Sequence, residues 1–502
     1  MPTRVIDVGR SEDSAIRLLE AKDRIGSTPY IALSHCWGNS PTFKLTRATV
    51  VAFKAGIFCK DLPKTFQDAV HVTRKMAIRY LWIDSLCIIQ DDTADWQTEA
   101  AHMQDVYSQA ICCIAATAAK DSATGLFFDR DPHDLTPIRV ETTRAMVAGQ
   151  KTNQVSKAYL GTFDVITDWV AIKAAPLNQR AWVAQERYLS AGTIHFTQKI
   201  VFWECDEGLT SEQDPKGGHV SVSKEPKAQL KWLAHEYKTQ NYAMSQSTAE
   251  AILSKIYTSW SDFRAAYSTY HMTKDEDILV ALNGVARKVV EATNIALVAG
   301  MWRSLLIEEM CWQRAHDGSD SGSANIVPRP PVWRAPTWSW ASIKDPVIRG
   351  ITRQMPEHFK ELVVIEDLFV DQKPSGQLIA ASIRLQCRPI PLEPPKSPRS
   401  NFWEPYDIPV VLDDWTGSQI KNLTNKVSLI MLRYRYHEPY GGLIQGIFTI
   451  PSLMKVGSFE RVGYCEFSVD WDNEKTTSAT KQERAAIIEA YHKTEETVIE
   501  LI

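Results

Sequence analysis

The chain has 502 residues, 44 % of them hydrophobic and 23 % charged, with a formal net charge of −4. That length fits two or three domains, and the composition is that of a folded globular chain with a core of ordinary size. The charge balance and the lack of a basic tract argue against a nucleic-acid reader or a binder of anionic membranes.

The opening residues, MPTRVIDVGRSEDSAIRLLE, carry charges throughout and have no apolar core segment. A secretory signal is therefore not expected, and residues 1–29 read as an N-terminal extension. No apolar run approaches the ~20 residues that span a bilayer. The nine cysteines are scattered and include no C-x-x-C pair. Reduced thiols in a cytosolic or nuclear setting are the expectation, and of the two a cytoplasmic location is the one expected. The histidines are dispersed, and no metal site is expected.

YIALSH (30–35) reads as a short buried strand ending in the polar turn CWGNSPT. Leu62-Pro63 then opens a helix, with Thr65 as its expected N-cap. Phe66, Ala69, Val70, Thr73 and Ala77 fall on one face of it. YLWIDSLCII (80–89) reads as a second buried strand, TADWQTEAAHMQDVYSQA (93–110) as a helix and ICCIAATA (111–118) as a third strand. Strand–helix–strand–helix–strand alternation predicts a parallel sheet covered by helices, with right-handed connections. Residues 119–176 read as loops with an edge strand or two. RAWVAQERYLS (180–190) is an expected helix, followed by a hairpin of TIHFT and IVFWEC. A polar stretch from 211 onward marks a boundary.

Residues 228–315 are expected to be mainly helical, and SDSGSANIVPRPP (319–331) reads as a linker. From 361 onward, alternating segments such as LVVIEDLFV, LIAASIRLQC and VSLIMLRYRY predict a β-rich region, closed by a helix at ATKQERAAIIEAYHK. The expected division is 1–29, 30–215, 216–345 and 346–502.

Ligands of open parallel sheets bind beyond the carboxyl ends of the strands. The first strand delivers His35 and Cys36 there, and the second delivers Asp84, Ser85 and Cys87. If the strands are neighbours, an imidazole, a carboxylate and a thiol converge. Cys87 is a candidate nucleophile activated by His35, the alternative being a buried thiol acting as a small hydrophobe. Asp84 needs donors, with Arg180 and Arg187 as candidates, or else it caps the turn. Glu186 shares a helix face with Trp182 and is a candidate acid or base, or half of a structural ion pair. Trp37-Gly38 could stack on a ligand or plug the sheet top. Gln90, Asp91, Gln185 and Arg187 complete the candidate binding set. P-loop, GxGxxG, HExxH and GxSxG signatures are absent from the sequence.

These segments resemble the heterokaryon-incompatibility (HET) domain of filamentous fungi. YIALSHCWG is similar to the family's first block. LPKTFQDAVHVTRKMAIRYLWIDSLCIIQDD is similar to its second, and LNQRAWVAQERYLS followed by FWEC to its third. DILVALNGVA, VAGMWR and RAPTWSWASI extend the likeness to most of residues 30–345. Asp84, Cys87, Gln90, Asp91, Trp182, Gln185 and Glu186 fall on the motifs, whereas family members often carry Tyr at the position of His35. The resemblance implies non-self recognition and triggering of cell death, with self-association or another incompatibility protein as partner. It also implies a distant likeness to TIR domains, some of which cleave NAD using a glutamate. Glu186 or Glu99 is then the candidate carboxylate, and NAD a candidate substrate with no cofactor evident. The alternative is an enzyme using the Cys/His/Glu/Asp pocket for NAD glycohydrolysis or for thiol-based acyl transfer in a biosynthetic pathway. The expected architecture is α/β: a parallel-sheet, TIR-like HET domain, a helical segment and a β-rich C-terminal region.

Overall fold

The computed structural model describes residues 2–10, 13–23, 28–38, 43–130, 138–143, 155–160, 172–212, 226–240, 245–315, 329–344, 346–349, 359–392, 402–403, 408–409, 411–413, 427–437, 441–469 and 478–502. The expected linker at 319–331 falls largely outside them. The chain divides into two compact units, Met1–Gln229 and Leu230–Ile502.

The first unit is built on one nine-stranded sheet. Its elements are β1 (Arg4–Asp7), β2 (Ala15–Glu20), β3 (Tyr30–Ser34), α1 (Val50–Ala55), β4 (Ile57–Phe58), α2 (Lys64–Lys75), β5 (Tyr80–Ile83), the single turn α3 (Asp84–Cys87), α4 (Thr93–Gln109) and β6 (Cys113–Ala115). After these come the separate ribbon of β7 (Ile138–Thr143) and β8 (Val155–Leu160), then α5 (Ala181–Leu189), β9 (Gly192–Phe196), β10 (Val201–Cys205) and β11 (Gly208–Ser211). The sheet order is β11-β10-β9-β6-β3-β5-β1-β2-β4.

The four central strands, β9, β6, β3 and β5, run parallel. Numbered by their own chain order they lie 2-1-3-4, the doubly wound arrangement of flavodoxin-like sheets. Strand order therefore reverses between β3 and β6. With right-handed crossovers, α2 and α4 cover opposite faces. β3 and β5 are buried at every position, as strands covered on both sides must be.

Four expectations change here. Residues 1–29 supply two strands of this sheet, so they are more than an extension. The buried charges Arg4 and Asp7 escape a hydropathy reading because both are compensated. Buried Asp7 accepts from Arg79 Nε at 3.0 Å and Arg17 Nη2 at 3.2 Å, and Arg4 pairs with Asp95. Second, β5 ends at Ile83 instead of running to 89, because the chain turns into α3. Third, Thr65 is not the N-cap of α2. Pro63 holds that place, and the Thr65 hydroxyl instead accepts from Gly125 N–H at 3.1 Å. Finally, the compact units meet at 229/230, between two of the expected boundaries.

Helix α5 is anchored to the sheet by a buried polar chain. Arg187 donates to Glu204 through Nε at 2.8 Å and Nη2 at 2.9 Å. His195 Nε2 lies 3.0 Å from the same carboxylate, and its Nδ1 lies 3.0 Å from the Thr117 hydroxyl.

The second unit begins within the helix Pro226–Gln240 and continues with helices Gln246–Tyr267 and Ile278–Thr293, followed by a second nine-stranded sheet. Its long strands Val364–Gln372, Leu378–Cys387, Val427–His437, Gly441–Pro451 and Ser458–Val469 pair mostly antiparallel, with Thr497–Leu501 between two of them. The helical middle and β-rich tail read from the sequence are both present. Arg461 is sealed at this unit's core by Asp413, and its guanidinium stacks 3.6 Å from the centre of the Trp312 ring.

Breaking the buried anchor gives a stability test. Glu204→Ala leaves Arg187 buried without its carboxylate, which costs on the order of 3–5 kcal/mol. Urea denaturation of the full chain should show that loss in the first unit, and an unchanged midpoint would show the pair to be energetically neutral.

Candidate functional site

The site grows out of strand register. Leu33 of β3 pairs with both Ile83 of β5 and Ile114 of β6, so the next residues of all three strands emerge together. Ser34 ends β3 beside Ala115, and His195 continues that row on β9. His35 follows β3 and Asp84 follows β5, and the two groups approach to 3.6 Å from Nδ1 to Oδ1. The imidazole also meets the edge of Phe66 on α2.

Asp84 is held by two donors. Ser85 N–H donates to Oδ1 at 2.6 Å and Trp37 Nε1–H to Oδ2 at 2.8 Å. Asp84 and Trp37 are only half-buried, whereas His35 is sealed. Burial pulls the His35 pKa down to about 4, with Arg180's positive charge adding to the effect and Asp84 opposing it. The ring is therefore neutral at physiological pH, and neither nitrogen has a hydrogen-bond partner among the described residues.

Glu186 reaches the same place from α5 and is 4 % exposed. Burial pushes its carboxyl up to about 7. Arg180 opposes this, Asp84 reinforces it, and the Ser34 and Tyr107 hydroxyls beside it partly offset it. Oε2 of Glu186, Oε1 of buried Gln185 and the Ser85 hydroxyl have no hydrogen-bond partner among the described residues. Buried polar atoms are nearly always paired, so this concentration of unmet groups marks a built feature. Arg180 itself donates to the His35 carbonyl.

Gly38 makes the turn possible. Its φ is +73°, and a Cβ there would lie 2.3 Å from Asp121 Cβ. No other residue type fits without displacing the loop.

The remaining candidates stand elsewhere. Cys87 lies within the hydrophobic core with no exposed surface, and burial pushes its thiol up to about 12. Its expected role as nucleophile is corrected, because a thiol so held is not a thiolate at neutral pH. Cys36, also buried, is the thiol beside Arg180 and Glu186, and burial raises its pKa too. Arg187 is committed to Glu204 and does not serve Asp84. Gln90 braces the turn through the carbonyls of Asp84 and Ile88, and exposed Asp91 accepts from Arg47 N–H at 2.8 Å. Trp182 meets Trp96 edge-on at 6.5 Å. Glu99 is buried against Arg4, Thr3 and Asp95 instead of joining Glu186.

Sequence reasoning overlooked Ser34 and the hydroxyl of Tyr107. Ser34 was legible as the one polar residue of an apolar strand. Tyr107, within α4's inner stripe, betrays itself only by its polar tip, which donates to the Leu33 carbonyl at 3.2 Å.

Fold and site together define a doubly wound α/β domain with a buried carboxyl, a neutral imidazole and a half-buried carboxylate at its topological switch point. Residues 30–186 match the family model described as heterokaryon incompatibility protein (HET), and that segment is accordingly a HET domain. No curated protein and no solved structure matches it. The matched segment contains His35, Asp84 and Glu186, and stops before the strands β9–β11 that complete the sheet.

Two outcomes follow. Glu186 holds its proton more tightly when folded than the ordinary carboxyl value of 4.5. The folded state is thus favoured below that value and loses stability as pH rises towards 7, by about 3 kcal/mol in all. Glu186→Gln should therefore match the parent chain in urea denaturation at pH 4 and exceed it at pH 8; equal stability at both would refute the buried-acid assignment. With iodoacetamide, half-buried Cys59 and Cys205 should label first and Cys87 only on unfolding. Rapid labelling of Cys87 in the native protein would restore it as a nucleophile.

Proposed function

We propose that this chain is a fungal incompatibility protein that acts in the cytoplasm in non-self recognition and triggers cell death through the polar site at the β3/β6 switch point. What supports the reading most directly is the concentration of buried, unpaired polar atoms on His35, Ser85, Gln185 and Glu186 within or next to the matched segment. Packing alone does not call for such groups. No helix among the described residues is long and apolar enough to cross a membrane. The partner is another incompatibility protein or a second copy of the chain.

A second reading has its own support. A carboxyl titrating near 7 beside a half-buried carboxylate is suited to general acid–base work. The 2-1-3-4 strand order is compatible with a distant likeness to TIR domains, and NAD glycohydrolysis is then the reaction to try. In that scheme Glu186 carries the proton or steadies developing positive charge, Asp84 orients Trp37, and Arg180 holds the His35 segment. Thiol-based acyl transfer is disfavoured by the burial of Cys87.

Expression of the intact chain and of Glu186→Gln in a filamentous fungal cell separates these ideas. The parent chain should arrest growth and the variant should not. Killing by both would show that the carboxyl is not the agent, and killing by neither would remove the signalling reading. Purified protein incubated with NAD should release nicotinamide if the second reading holds, and no release at high protein concentration ends it.

A further inference from the structure

The first unit carries another polar feature at the opposite end of its sheet, where β5 begins and β1 ends. A groove of about 680 Å³ is lined there by Arg10, Arg74 and Arg79, together with Gly9, Asp13 and Ala77. An adjoining hollow of about 190 Å³ shares Gly9, Asp13 and Arg79 and adds Arg17 and Asp7. Among the described lining residues four arginines thus face two aspartates, in a chain whose net charge is −4.

The charges are layered. Asp7 is buried, at 3 % side-chain exposure, behind Arg79 and Arg17, which are 59 % and 53 % exposed. The negative charge therefore sits inside and the positive charges outside. One guanidinium is enough to neutralise Asp7, yet Arg74 and Arg10 are added without touching it. Arg74 is fixed by donating through Nε to the Val8 carbonyl at 2.7 Å, and Arg79 by its two bonds to Asp7. Both guanidinia are thereby held in place before any ligand arrives, which lowers the ordering cost of binding.

The walls are equally fixed. Arg10 N–H donates to Asp13 Oδ2 at 2.6 Å, and Gly9 turns with φ +68° directly against Asp13. Across the groove Ala77 sits at φ +57°, a left-handed conformation unfavourable for an alanine. The helix α2 ends there and points its carbonyl end, the negative end of its dipole, towards the groove.

We propose that this groove is an oxyanion site that takes a polyphosphate-bearing small molecule. The planar guanidinium of Arg10 can match phosphate oxygens in a pair, while Arg17, Arg74 and Arg79, whose Nε and Nη2 are taken by Asp7 and the Val8 carbonyl, add fixed positive charge, and the volume lies within the ~300–1,000 Å³ of small-molecule sites. Several cations spread along the groove fit a chain of phosphates better than a single one. The site is separate from the reading given to Glu186 and stands without it.

Titration calorimetry on the intact chain, with inorganic tripolyphosphate and with ATP as probes, tests the assignment. Saturable binding at a single site is expected, weakening with salt and falling about tenfold in Arg10→Ala, whose exposed side chain does not support the fold. Equal affinity for the two probes would locate recognition in the phosphates, and tighter binding of ATP would extend the groove to a nucleoside. Glu186→Gln should bind like the parent chain. No saturable binding of either probe at low salt, an unchanged affinity in Arg10→Ala, or loss of binding in Glu186→Gln would each overturn the proposal.

Discussion

The constraint on which the first unit depends is that β3 has a parallel neighbour on each side. Leu33 is in register with Ile83 and with Ile114 at once. Three chain segments must therefore leave the sheet at one level, and the backbone directions diverge there because α2 and α4 pack on opposite faces. A gap opens at such a reversal whatever the side chains are. What this sequence adds is polar content at that gap. His35 and Asp84 come from strands far apart in sequence, and Glu186 arrives from a helix a hundred residues later.

The balance of charge at that point is deliberately incomplete. Asp84 is half-buried and has two good donors, so it remains close to water and well served. His35 is sealed and neutral, so it brings no compensating charge. Arg180 is the cation in range, and it is partly engaged with the carbonyl of His35. Glu186 is left with hydroxyls beside it and a like charge on Asp84. The result is a carboxyl poised between its two protonation states under ordinary conditions, which water at a protein surface would not permit.

Much of this was legible in the residues. The alternation of apolar strands and amphipathic helices between 30 and 118 identifies the parallel sheet, and the strand-end rule places His35 and Asp84 at a common edge. The first two strands stayed hidden because Arg4 and Asp7 look like surface charges until their partners Asp95, Arg17 and Arg79 are known. Cys87 was misplaced for a local reason. Reading YLWIDSLCII as one strand carries the thiol to the tip, whereas the helical turn from Asp84 folds it back into hydrocarbon. Arg187 was assigned to the wrong carboxylate because Glu204 lies on a later strand, and helix-to-hairpin pairing has no signature in spacing.

Two glutamates of the same sheet region make the physical contrast plain. Glu204 and Glu186 are both almost wholly buried. Glu204 is gripped by a bidentate guanidinium and by an imidazole that is itself hydrogen-bonded. The neighbouring residue of Glu186 on α5 supplies that grip, yet successive helical residues point about 100° apart, so Arg187 cannot serve both. Compensation is complete where the helix is fastened to the sheet and withheld one residue away, over the β3/β6 gap. A fold under selection for stability alone has simple remedies for the second glutamate, such as a glutamine or a hydrophobic side chain of similar volume. Retaining an acid there is the kind of local conflict between sequence and packing that belongs to a site and not to a core.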